Sequence, residues 1–219
     1  DLAEQESMVA AAGEEAHAAG IRLAVHATEL AVAKAALRAG ADFLVHSVEN
    51  ETIDEEFIAL ALQRKVLYCP TLAVYAGYQE ALSGHWQPTA IEARRGDPDI
   101  VNALRSGAGL PSKLFPHDVS RLILQHYLPR RAPIMAANLR KAVEADITVV
   151  MGTDAGNIGT LHGASIHREM AAMAQAGVAP MRILQAATVN GAKALNRENE
   201  LGALRPGLLA DVIVLNADP

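Results

Sequence analysis

Helix-like and β-like stretches take turns along the first part of this chain. Ser7 to Ala19 carries Ala-rich helical spacing with Ser7 placed to cap it, and IRLAV follows as a strand apolar enough for burial in a parallel sheet. About Glu29 to Ala39 repeats the helical pattern and hands over to DFLV. Asp54 to Arg64 forms a third helix, and VLYCPTL is the strand after it, stopped near Pro70. From about Val74 to Pro116 the pattern lapses into Gly, Pro, charge and scattered aromatics, as in GHWQPT and GLPSKLFP, which predicts an inserted lid or binding loop. Helical spacing returns from His117, with interruptions expected at Pro129 and Pro133 before AANLRKAVEA. ITVVM then reads as a strand, and HREMAAMAQAG and APMRILQAATVNGAKAL as helices. LGALRPGLLADVIVLNADP reads as two short β runs about a Pro-Gly turn. The alternation predicts an α/β fold, with a parallel sheet and right-handed crossovers over residues 1–197 and a separate β-rich unit over 198–219.

Two of these units read almost as one. AHAAGIRLAVHA and ALRAGADFLVHS each run from a helix tail, through a Gly suited to a left-handed cap, into a β run that ends in a His. The spacing from Gly20 to His26 and from Gly40 to His46 is six residues in both. KAVEADITVVMGTDAG is a looser third copy, with Asp146 at the cap and Asp154 closing the strand. The carboxyl ends of successive parallel strands converge on one mouth in a (β/α) barrel. A lone His after an apolar strand is more often a hydrogen-bonded core or loop residue than a ligand. Repetition of the offset shifts the balance: His26 and His46 would stand on neighbouring strands roughly 5 Å apart, with Asp154 adding a carboxylate ligand or base. A carboxylate at such a mouth is costly to desolvate without a cation or several donors, which favours function over turn capping for Asp154. His162, eight residues after Asp154, suits a site wall and a helix start equally. Tyr75 and Tyr78, after the third strand, suit donation to a substrate carboxylate or ordinary loop packing. His17, His85, His117, His126 and His167 read as surface or structural residues.

Composition narrows the class. The 219 residues are 51% hydrophobic and 4% aromatic, which suits an Ala/Leu/Val-packed α/β core better than a sandwich. A formal charge of −6 with dispersed Lys and Arg leaves no electrostatic footprint for nucleic acid. No apolar run reaches the about 18 residues of a membrane span. Cys69 is the only cysteine, which excludes an internal disulfide framework and favours a reducing, cytoplasmic compartment.

LAVHA, FLVHSVE, PTLAVY, VVMGTDAG followed by HG, then ILQAATVNGAKAL and LGALRPGLLADVIVLNADP, in this order, resemble the C-terminal half of the metal-dependent amidohydrolase superfamily, in its imidazolonepropionase-like and Xaa-Pro dipeptidase-like branch. The resemblance implies strands five to eight of a distorted TIM barrel, with the tail joining a small β-sandwich built from both termini. It implies that His26 is the metal ligand after strand five, His46 the ligand after strand six, and Asp154 the residue after strand eight that both binds metal and takes the proton of the attacking hydroxide. Tyr75 matches a loop Tyr that helps hold the substrate carboxylate in dipeptidase-like members.

Departures from the pattern bear on completeness. No two His stand two apart, so the family's His-x-His pair is absent, and none of Lys34, Lys65, Lys113, Lys141 or Lys193 ends a predicted strand as the family's bridging Lys does. Residue 1 then falls just after strand four, and the remaining ligands and strands are expected on polypeptide outside these 219 residues. The functional expectation is a hydrolase of C–N bonds in dipeptides or N-acyl amino acids, using a zinc-class divalent metal, one or two ions, with Asp154 as general base. Alternatives are a cyclic-amide hydrolase, a deaminase-like member, or a non-catalytic fragment serving as an interaction surface. Expected partners are the missing half or another chain, and further copies in a homo-oligomer.

Overall fold

The structure, a computed structural model, describes residues 2–106 and 122–217. Four short parallel strands, β1 (Ala24–His26), β2 (Phe43–Val45), β3 (Leu67–Cys69) and β4 (Thr148–Val149), lie side by side in chain order. Before and between them run α1 (Leu2–Ala18), α2 (Leu30–Arg38), α3 (Glu55–Arg64), α4 (Leu72–Leu82), α5 (Ala90–Arg95) and α6 (Pro98–Arg105). A π-helical turn at Ile123–Tyr127 leads into α7 (Leu128–Glu144), and α8 (Ile166–Gln175), α9 (Pro180–Ala187) and α10 (Val189–Ala194) follow β4.

The helix-to-strand handover has one chemistry. Gly20, Gly40 and Asp146 take positive φ of 71°, 104° and 57°. In each case the next residue closes the helix: Ile21 N donates to Ala16 O, Ala41 N to Ala36 O and Ile147 N to Ala142 O, at 2.8 to 3.0 Å. Lys65 does the same after α3, with φ 53° and Val66 N donating to Ala61 O at 3.0 Å. Each closure satisfies a terminal carbonyl and aims the chain back at the sheet.

Alternation along the strands divides the sheet into two faces. Leu44, Tyr68 and Val149 pack against Leu37 of α2, Phe57 of α3, Leu139 of α7 and Met173 of α8 in the main core. Leu67, Cys69 and Val150 form a smaller cluster with Phe43 and Ala194 of α10.

Several expectations need correction. The strands are shorter than the apolar runs around them, because pairing stops where the chain turns into the loops at the mouth. The stretch from Val74 is largely helical rather than irregular: α4 opens at Leu72, Thr89 and Glu92 form a reciprocal capping box on α5, and Asp97 caps α6 ahead of Pro98. Its remainder and His117 lie outside the described residues. No break occurs at Pro129, where the helical conformation is continuous and the wider π-helical turn at Ile123–Tyr127 lies immediately ahead of the proline. The helix also continues through Pro133, held by buried Met135, Leu139 and Ala142. No strand forms in the described tail, where Ile213 and Val214 are 85% and 89% exposed. A β run without a neighbour has nothing to pair its backbone groups with.

Candidate functional site

Register explains how the two histidines meet. β1 and β2 pair with His26 opposite Val45, so His46 lies one residue beyond the pair although the six-residue repeat would align it with His26. Along a regular strand that single step would turn His46 to the other face. Instead its φ of 74° ends the pleat, while its N–H still donates to Cys69 O at 2.9 Å. The His26 and His46 rings end 4.7 Å apart, edge to face at 73°. Thr71 Oγ1, 2.6 Å from His46 Nδ1, fixes the ring. Burial, and then the neighbouring His26, hold the His46 imidazole below its ordinary pKa, toward the neutral form.

Asp154 reaches the same end from the loop after β4 rather than from the strand itself. It too has positive φ, 49°, and its Oδ2 stands 3.8 Å from His46 Nε2. Asn157 Nδ2 donates to that oxygen at 2.5 Å, and the Tyr78 hydroxyl donates to Asn157 Oδ1 at 2.8 Å. Tyr78 is therefore tied to the loop carrying Asp154. Among the described residues, six non-glycine residues have positive φ. Lys65, Asp146 and Asn196 follow helix ends, and the other three, His46, Thr71 and Asp154, surround this point. Strained backbone of this kind persists where surrounding contacts over-determine it, and it clusters at functional sites.

His26, His46 and Asp154 line a cleft of about 490 Å³ together with Glu49, Tyr75, Tyr78, Tyr127 and Asn157. Tyr75 stands in the first turn of α4, not on a loop, and its ring stacks on Tyr127 at 6.5 Å and 6°. The Tyr127 hydroxyl donates to Glu49 Oε1 at 2.6 Å, and its pKa is pushed up to about 12 by burial and then by that bond. His162 does not line the cleft; it is exposed, with its ring close to Gly156. Cys69 is buried, and desolvation pushes its thiol up to about 12, so it remains an unreactive thiol.

The donor set can be tested for a cation. Two atoms sharing one zinc at about 2.0–2.2 Å in a tetrahedral shell stand about 3.4 Å apart, close to the 3.8 Å between His46 Nε2 and Asp154 Oδ2. With His46 Nδ1 engaged by Thr71, Nε2 is the nitrogen left for the cleft. No group of three or more His, Cys, Asp or Glu among the described residues is arranged to hold a metal ion. An imidazole nitrogen and a carboxylate oxygen at this separation suit two positions of a divalent cation's shell, which further ligands must complete.

Sequence reasoning missed Glu49, Thr71, Tyr127, Arg131 and Asn157. Tyr127 and Arg131 meet Glu49 across 78 and 82 residues, a distance no local pattern spans. Asn157 is the exception, since an Asn three residues after Asp154 is a local signal for a side-chain bond.

The chain matches the amidohydrolase family over residues 1–219 and belongs to it. Over 82 residues it is 34% identical to the imidazolonepropionase of Geobacillus kaustophilus (strain HTA426), a match covering 37% of this chain and 19% of that protein. Over 48 residues it is 44% identical to adenine deaminase 4 of Rhizobium meliloti (strain 1021), covering 22% of this chain and 8% of the relative. A solved Xaa-Pro dipeptidase with methionine bound in its active site shares the fold at a TM-score of 0.66 and 24% identity, over 94% of this chain. The chain spans 41% of that dipeptidase's length. No helix among the described residues is long and apolar enough to cross a membrane.

Proposed function

We propose that β1 to β4 are strands five to eight of an amidohydrolase barrel, that residues 198–219 join a small β domain, and that the native protein hydrolyses C–N bonds in dipeptides or N-acyl amino acids. The observation that carries this reading is the meeting of His26, His46 and Asp154 at one end of one sheet, with rings 4.7 Å apart and an N–O distance of 3.8 Å. His26, His46 and Asp154 would hold a divalent cation, which when bound supplies a Lewis acid and an acidified water at neutral pH. Asp154 accepts the proton of the attacking water and returns it to the leaving amine. Thr71 sets the His46 ring, and Asn157 and Tyr78 set the Asp154 carboxylate. Tyr75 donates its phenol to the substrate carboxylate. The remaining ligands come from polypeptide beyond this chain, supplied by the same protein or a partner.

The test uses the native enzyme. Cobalt(II) titration should produce a visible absorption band that His46→Ala abolishes. Asp154→Asn should keep the fold and lower turnover by about 10²–10⁴, since the amide keeps the volume and loses the basicity. Activity within a few-fold of wild type would place the base elsewhere. Similarity to an imidazolonepropionase and an adenine deaminase supports a second reading, attack on a cyclic amide or amidine. Assaying dihydrouracil and adenine beside dipeptides separates the two.

A further inference from the structure

Glu49 lies three residues past His46 and lines the same cleft. Although only 3% exposed, it is gripped on one side alone. Its Oε1 accepts from the Tyr127 hydroxyl at 2.6 Å and from Arg131 Nη1 at 2.5 Å, and its backbone N–H donates to Thr28 O at 2.8 Å. Among the described residues Oε2 meets no donor, and it is the buried side-chain oxygen left without a hydrogen-bond partner. A buried carboxylate oxygen in that state carries an uncompensated desolvation cost, and on a residue that lines a cleft a donor brought by a ligand would relieve it.

The surroundings narrow that donor. An anionic acceptor bonds most strongly to a cationic N–H. Arg131 cannot easily swing across to serve, because its guanidinium lies 4.0 Å over the Tyr127 ring while bonding Oε1. Tyr127 in turn stacks on Tyr75, so the free oxygen and the phenol assigned to the substrate carboxylate belong to one packed wall. A wall offering an anionic acceptor and a phenolic donor complements a zwitterion.

We propose that Glu49 is the specificity residue of the cleft, its free oxygen receiving the protonated amino terminus of a dipeptide, so that peptides with a free amine are preferred over N-acyl amino acids. This rests on reading the chain as part of a C–N hydrolase and narrows its substrate class.

Glycyl-L-leucine and acetyl-L-leucine differ only by that amino group. In the native enzyme kcat/KM should favour glycyl-L-leucine by about tenfold or more, and Glu49→Gln should reduce the ratio to about threefold or less, chiefly through KM. Glu49→Asp keeps the charge but withdraws it by one methylene, and should also lower the ratio. It serves if circular dichroism shows the Gln variant unfolded. Calorimetric binding of both compounds runs in parallel. Tight binding of glycyl-L-leucine that Glu49→Gln weakens, without turnover, would keep the role of Glu49 and remove the hydrolase reading. Equal kcat/KM for the two compounds in the wild type, a ratio unchanged in the variants, or no binding and no turnover of either compound would overturn the assignment.

Discussion

Gly77 and Gly159 meet backbone to backbone. A Cβ on Gly77 would lie 2.7 Å from Ile158 O, and one on Gly159 would lie 2.6 Å from the Gly77 Cα. With no Cβ at either position, α4, which carries Tyr75 and Tyr78, lies directly against the loop that carries Asp154. Gly77→Ala should therefore push the loop away, cost about 1–3 kcal/mol of stability by overpacking, and lower turnover through displacement of Asp154. Unfolding in urea and steady-state kinetics on the native enzyme check both. Unchanged values would mean that the loop accommodates a methyl group freely.

Thr71 gives a second handle on the site, without touching a charge. Its hydroxyl is 2.6 Å from His46 Nδ1, and the residue is buried with φ 49°. Thr71→Val keeps the β-branched shape and removes the hydrogen bond, leaving the imidazole free to tip. Loss of such a supporting bond typically weakens metal binding by about 10–100-fold. Competition with a chromogenic chelator measures it; an affinity within a factor of about two would deny Thr71 a positioning role.

The repeat was legible because its punctuation is local. A left-handed closure strongly prefers Gly, so Gly20 and Gly40 announce where two strands begin and hence where His26 and His46 stand. The same closure after α3 was hidden, because Lys65 occupies the left-handed position against the usual preference. The one-residue register shift between β1 and β2 was also hidden, since pairing is set by loop geometry on both sides of the sheet. In the stretch after Val74, charge and scattered aromatics masked real signals: T-x-x-E at Thr89 is a capping box, and Trp86 is a core residue whose Nε1 donates to Gly159 O at 3.1 Å. Glu92, buried there, bonds both Arg168 and Ser165 of a segment more than seventy residues on. Only tertiary packing decides that such a Glu is internal.

The start of α4 makes stability depend on pH. Thr71, at the cap position, makes no side-chain cap there; Glu169 of α8 supplies it, accepting from Leu72 N at 3.0 Å and Ala73 N at 2.6 Å. Burial pushes the Glu169 carboxyl up to about 7 despite these two bonds. An unfolded chain would release that proton near the ordinary value of about 4.5. The folded state thus holds the proton more tightly, so its stabilising effect is full below about 4.5 and is lost as pH rises through about 7, by up to about 3 kcal/mol. Glu169→Gln carries no titrating group and cannot show this change, although its amide satisfies only one of the two N–H donors. The stability of wild type minus that of the variant should therefore be larger at about pH 5 than at about pH 8. Urea unfolding of both proteins at the two pH values reads the difference directly, and a constant difference would show that Glu169 is ionised in the folded protein across the whole range.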